Sequence, residues 1–244
     1  MSRRLLLAGA AALALVVLAA GAAGYTYFFS GLRTTPKPLA LATPTPGASA
    51  SAAPAGSDVA GSWKVASGSQ AEWRVSEVFA GTSLPHQAVG RTSGVTGSLT
   101  VEGSGASLSA TNFSFTADLS QLASVDQVIG RDVSQRDQLV RRALSVSSNP
   151  DATFQSSQAV TLPAGFTDGQ QVQLTVPGRL TIHGVTRDVS VTVTQLQLSG
   201  SQVQAAGTIQ TTMSTFNIQP PSAPFVTVDQ NVTIGFLITF AKAA

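Results

Sequence analysis

The chain's two imidazoles, His86 and His183, come with no cysteine anywhere in 244 residues. Zinc and non-haem iron sites draw on several imidazoles or on thiolates. Disulfide scaffolds, cysteine nucleophiles and lipid-modified N-terminal cysteines all need a thiol. No catalytic residue, metal site or cofactor is expected, and G-x-S-x-G, P-loop and dinucleotide fingerprints are absent. His183 opens the turn His183-Gly184-Val185-Thr186, where an imidazole bonding nearby backbone is the expected role. An esterase would need a serine or aspartate partner for it, and the spacing singles out none. His86 follows Leu84-Pro85 in a Gly/Pro-rich loop and is expected to be solvated.

Glu77 shares a period-two face with Trp73, Val75 and Phe79. A strand-end position reaching water is the expectation, because an unpaired buried charge is costly. If that face points inward, the carboxylate lies in or at the rim of an apolar cavity and its pKa rises. Arg131, Arg136, Arg141 and Arg142 cluster with Asp132 and Asp137. A solvated face is expected there, with Asp137 and Arg141 four apart as an exposed ion pair. The functional alternative is a clamp in which Arg136, Arg141 and Arg142 contact an anionic headgroup.

These residues must be positioned by strands. Alternating apolar residues recur through Ala71–Phe79, Val95–Val101, Phe113–Leu119, Phe154–Leu162, Val172–Ile182, Val189–Val193, Val203–Ile209 and Val232–Phe240, a pattern of about eight strands. Eight antiparallel strands with one apolar face each close into a barrel and lose their edges; a two-sheet sandwich would read similarly. One helix interrupts them over about 135–145, opened by Ser134 and Asp137 as an approximate capping box and ended by Asn149-Pro150. Its stripe is Leu139, Val140, Ala143 and Leu144.

The first 58 residues differ in kind. Arg3 and Arg4 precede an uncharged run from Leu5 to Tyr25, which at about 1.5 Å per residue spans about 31 Å, a bilayer core. Tyr25, Tyr27, Phe28 and Phe29 supply an interfacial belt, and the two arginines place the N-terminus in the cytoplasm. The competing reading is a signal peptide cleaved near Ala20-Gly21-Ala22. Residues 33–58, with prolines at 36, 38, 44, 46 and 54, are expected to form a disordered stalk reaching roughly 80 Å. The positive sign of the formal net charge of +2 comes from this part. Arg3, Arg4, Arg33 and Lys37 precede residue 59, leaving ten basic side chains against eleven acidic ones once Asp58 is set aside. The domain from 59 to 244 therefore lacks the basic face that nucleic acid requires.

Several motifs occur in a telling order: Trp63 and Val75, Val89-Gly90-Arg91-Thr92, Arg136-Asp137-Gln138-Leu139, Asn149-Pro150 before Ala152-Thr153-Phe154-Gln155-Ser156, Gly178 through Arg187, and Val228-Asp229 with Val232-Thr233-Ile234. Over about residues 61–242 the chain resembles the YceI-like family of lipocalin-like, polyisoprenoid-binding proteins. The resemblance implies an eight-stranded antiparallel barrel holding an isoprenoid or related amphiphile in an elongated cavity. Glu77 stands where members often carry Lys or His, and many members are exported soluble proteins without an anchor.

The presumed inner face mixes bulky Trp73, Phe113, Phe115, Phe154 and Phe236 with small Ala71, Gly97, Ala205 and Gly207. Small residues are expected to leave room for one slender ligand. With Val75, Glu77, Leu180 and Ile182 they form the expected lining. The leading function is non-catalytic binding of a polyisoprenoid, isoprenoid quinone or related lipid outside the cytoplasmic membrane, to which residues 5–25 attach the chain. The alternative is an envelope interaction module whose barrel is closed.

Overall fold

In the computed structural model the described residues are 15–22, 35–42, 59–80, 85–105, 107–128, 133–221, 224 and 226–243. The alternating runs become strands β1 (Gly61–Val65), β2 (Gln70–Phe79), β3 (His86–Thr92), β4 (Val95–Glu102), β5 (Ser109–Asp118), β6 (Ala123–Ser124), β7 (Asp151–Ser156), β8 (Val160–Thr161), β9 (Val172–Ile182), β10 (Val185–Ser199), β11 (Gln202–Thr212) and β12 (Val226–Lys242). Strands β1, β4, β5, β7, β9, β10, β11 and β12 form a closed antiparallel ring, each bonded to two neighbours. The remaining strands prolong members of the ring. Along β12, Trp63 of β1 faces Lys242 and Ala71 of β2 faces Phe236, so β1 and β2 follow one line. β3 and β4 line up against them in the same way. The result is the eight-stranded barrel, not the sandwich.

Period two puts the apolar set inside. Leu99, Val101, Val176, Leu180, Val191, Val193, Val203, Ile209, Ile238 and Phe240 are all buried in one core. One end is sealed by Trp63, whose indole Nε1 donates to Val59 O at 2.9 Å, and by Phe166, which the loop after β8 tucks under the strands. At the other end lies the helix α1 (Ser134–Ala143). Val133 is its N-cap, without a side-chain hydrogen bond. The expected capping box and the Asp137–Arg141 ion pair give way to tertiary contacts. Asp137 Oδ1 accepts from Ser124 N (2.9 Å) and Oγ (2.6 Å), while Arg141 donates to Leu122 O at 3.0 Å. These bonds tie α1 to β6 and the turn before it. No residue of α1 is fully buried.

Residues 15–22 are helical and exposed, and among the described residues no helix is long and apolar enough to cross a membrane. The described residues therefore do not support the spanning helix expected over 5–25, most of which lies outside them. The stalk expectation needs correction. Residues 35–42 lie along the outer wall of the barrel, with Leu41 buried.

Candidate functional site

A cavity of about 610 Å³ occupies the α1 end of the barrel. Its wall is the inner face of β2 (Ala71, Trp73, Val75, Phe79), the facing half of β12 (Val226, Val228, Val232, Ile234), Met213 and Phe216 after β11, and the α1 stripe Leu139, Val140 and Ala143. A second cavity of about 180 Å³ lies deeper, among Phe113, Phe115, Phe154, Leu180, Ala205 and Phe236. Ala71, Ala117, Ala152, Ile182 and Ile234 line both, so the two spaces abut along the barrel axis.

The inner glycines have another role than the one expected. A Cβ on Gly207 would stand 2.6 Å from the Phe236 ring and 2.3 Å from the Thr192 carbonyl oxygen. Gly207 lines neither cavity; it leaves room for the ring of its cross-strand partner Phe236 to approach the backbone closely. Gly90 serves Trp73 in the same way, and Gly97 serves Phe115. Glycine therefore admits the aromatic walls of the cavity, while Ala205 borders free space.

One end of the larger cavity is polar. Glu77 points inward from β2 and is only 4% exposed, so it does not reach water. Arg136 of α1 donates to it through Nη2 at 2.8 Å, and through Nη1 to both oxygens of Asp126 at 2.7 and 2.9 Å. His86, opposite Glu77 in the β2–β3 ladder, is buried rather than solvated and lies 2.7 Å from Asp126 Oδ2 through Nε2. Val89 N–H donates to Asp126 Oδ1 at 2.9 Å. Burial pushes the Glu77 carboxyl above its usual range, opposed by Arg136 and His86. Burial works on Asp126 in the same direction, but the hydrogen bonds from His86, Arg136 and Val89 prevail and hold it down at about 2.

Donor atoms of Glu77, His86 and Asp126 lie within 4.8 Å of one another, close enough to hold a metal ion. The Arg136 guanidinium already bonds both carboxylates, so a divalent cation there would meet a fixed positive charge. The group is built as an ion-pair network. Asp126 was not singled out from the sequence, where it is one acid in an irregular loop. The Glu77–His86 pairing was within reach, since a β2–β3 hairpin places them opposite each other. Arg141 and Arg142 line neither cavity, and Arg131 and Asp132 lie outside the described residues.

His183 keeps its turn role. Its φ is +54°, Nδ1 contacts Phe216 O at 3.2 Å and Nε2 contacts Ser145 Oγ at 3.1 Å. A serine partner thus exists, but the imidazole is oriented by a backbone carbonyl, and the contact ties the end of α1 to the β9–β10 hairpin.

The family model of the YceI-like domain matches residues 63–240. The chain belongs to the YceI-like family. A polyisoprenoid-binding domain from Saccharophagus degradans, implicated in plant cell wall breakdown, shares the fold at a TM-score of 0.54 with 14% identity, covering 75% of this chain and 99% of its own. Burkholderia cenocepacia BcnA is 25% identical at a TM-score of 0.45, covering 68% of this chain and 95% of its own. A Campylobacter jejuni YceI protein is 11% identical at 0.42, covering 60% and 81%. No curated protein sequence matches the chain. As a YceI-like barrel it has a binding-type fold suited to a hydrophobic ligand.

Proposed function

We propose that this YceI-like protein holds a long-chain hydrophobic molecule, a polyisoprenoid, isoprenoid quinone or related lipid, without transforming it. The observation that carries this reading is the pair of abutting cavities, about 610 and 180 Å³, walled mainly by aliphatic and aromatic side chains. Taken together their size falls within the range of small-molecule sites, and their placement suits a chain threaded along the barrel. A closed interaction module would have these side chains in contact with one another. The structural neighbour from Saccharophagus degradans, described as polyisoprenoid-binding, supports the same ligand class.

The polar end favours an uncharged head. Arg136 is committed to two carboxylates at hydrogen-bond distance, and among the described residues the lining holds no cation in excess of its acids. A phosphate would meet Glu77 and Asp126 with no free counter-charge. A carbonyl or hydroxyl could share the network's donors at small electrostatic cost. The headgroup clamp of three arginines is therefore set aside.

The barrel belongs on the outer side of the cytoplasmic membrane, since Arg3 and Arg4 before the uncharged run direct the chain beyond it outward. This holds whether residues 5–25 stay as an anchor or leave as a signal. The function is tested by purifying the protein from its native envelope and extracting it with solvent for mass spectrometry. One prenyl lipid near equimolar amount is the expected result; a lipid-free protein that also takes up no added prenol would contradict the proposal.

A further inference from the structure

The outer wall behind the cavity carries a second built site. Glu72 and Arg74 alternate along β2 with Trp73, Val75 and Glu77, and their charged groups meet segment 35–42 on the outer wall, yet they are 3% and 5% exposed. Glu72 binds two guanidinium groups, Arg74 Nε at 2.6 Å and Arg91 Nε at 2.8 Å. What buries them is the Pro-rich segment 35–42. Arg74 Nη2 donates to Pro36 O at 2.8 Å and Arg91 Nη2 to Lys37 O at 2.6 Å. Leu39 N–H donates to Glu72 Oε1 at 3.3 Å, and Leu41 N–H to Gln195 Oε1 at 2.8 Å. Two features of the wall and one of the segment serve this contact. Gly235 stands opposite Glu72, where a Cβ would lie 2.9 Å from its Cγ. The β10 register shifts between Val193 and Gln195, a bulge that puts Gln195 on the outer face. Pro36 and Pro38 stiffen the segment before it docks.

We infer that residues 35–42 are a clasp that turns the stalk into a short tether and holds the barrel against the lipid surface. The inference rests on the reading of residues 5–25 as a retained anchor. With the clasp docked, only residues 26–34 separate the anchor from the barrel wall, a reach of at most about 30 Å, in place of the roughly 80 Å of a free stalk. A barrel so held takes an insoluble ligand from the bilayer with little aqueous transit.

The test uses the full chain in nanodiscs. Because the sequence has no cysteine, Ser201→Cys gives a single labelling site on an exposed turn, and energy transfer to a headgroup dye reports the barrel's height. A variant with residues 35–42 replaced by an equal length of Gly and Ser leaves every barrel residue in place, and its melting temperature shows that the barrel is folded. Hydrogen exchange in the parent is expected to protect residues 35–42 at least tenfold over 43–58, and energy transfer is expected to fall in the variant. Equal exchange of the two segments, or transfer unchanged by the replacement, would overturn the clasp. A mature chain cleaved near residue 23 would also overturn it, yet leave ligand binding by the extracted barrel intact, so the two proposals fail separately.

Discussion

Arg136 shows how much one side chain carries. It is the cation shared by Glu77 and Asp126, both nearly excluded from water. Removing it takes the shared guanidinium from two buried carboxylates and leaves Asp126 only His86 and Val89 N–H; breaking a buried pair in this way typically costs about 3–5 kcal/mol. Urea unfolding of Arg136→Ala is expected to show a loss of that order. Arg142→Gln, on the exposed face of α1, should stay within about 0.5 kcal/mol. Acid unfolding separates the two carboxylates by sign. Asp126 is depressed from 3.8 to about 2 in the folded state, so its contribution, about 2 kcal/mol, is complete above about pH 4 and lost as pH falls through about 2. Glu77 is raised above 4.5, so the folded state takes up its proton first, and acidification toward that ordinary value relieves a cost. Asp126→Asn should therefore flatten the stability curve below about pH 4, and Glu77→Gln should remove a slope of opposite sign above it.

At the scale of elements, the strands were legible and the reasons for their small residues were not. Period-two alternation places Val172, Leu174, Val176, Leu180 and Ile182 on one face, and β9 turns that face inward because one residue of slip would expose it all. Alternation says nothing about what fills the space beside a glycine. Gly207 reads as a void in the sequence and is a seat for Phe236 in the barrel, a long-range pairing that only the register of β11 and β12 reveals. The α1 stripe was legible by the same logic, while its polar contacts reach β2, β6 and a loop and leave no local trace. Two variants separate free volume from a packed seat. Ala205→Phe, bordering the deeper cavity, is expected to weaken prenol binding at least tenfold, or about 1.4 kcal/mol, with the melting temperature nearly unchanged. Gly207→Leu would drive into the Thr192 carbonyl and should destabilise the barrel by about 3 kcal/mol or more, the upper end of overpacking. Thermal unfolding of both, beside binding, checks this.

For the molecule as a whole, composition places the start of the barrel domain near residue 59 and misjudges one piece before it, the segment 35–42. Residues 35–42, with Leu39 and Leu41 as their only large apolar side chains, carry too little apolar surface to fold alone. They order because Glu72, Arg74 and Arg91 offer a wall of charge-assisted donors and acceptors, and those three residues are scattered over two strands. The barrel itself combines a sealed end at Trp63 and Phe166, a ligand-sized space along its axis, and a polar end neutralised by its own ion pairs. That combination yields the central claim, an apolar chain bound by its length with an uncharged head. Calorimetric titration of the barrel with prenols lengthened one isoprene unit at a time, beside the matching prenyl phosphates, tests it most directly. Affinity should strengthen with each unit until the cavities are filled, by up to about 0.8 kcal/mol per methylene, and the uncharged series should bind at least tenfold more tightly than phosphates of equal length. Affinity independent of chain length, or tighter binding of the phosphates, would contradict it.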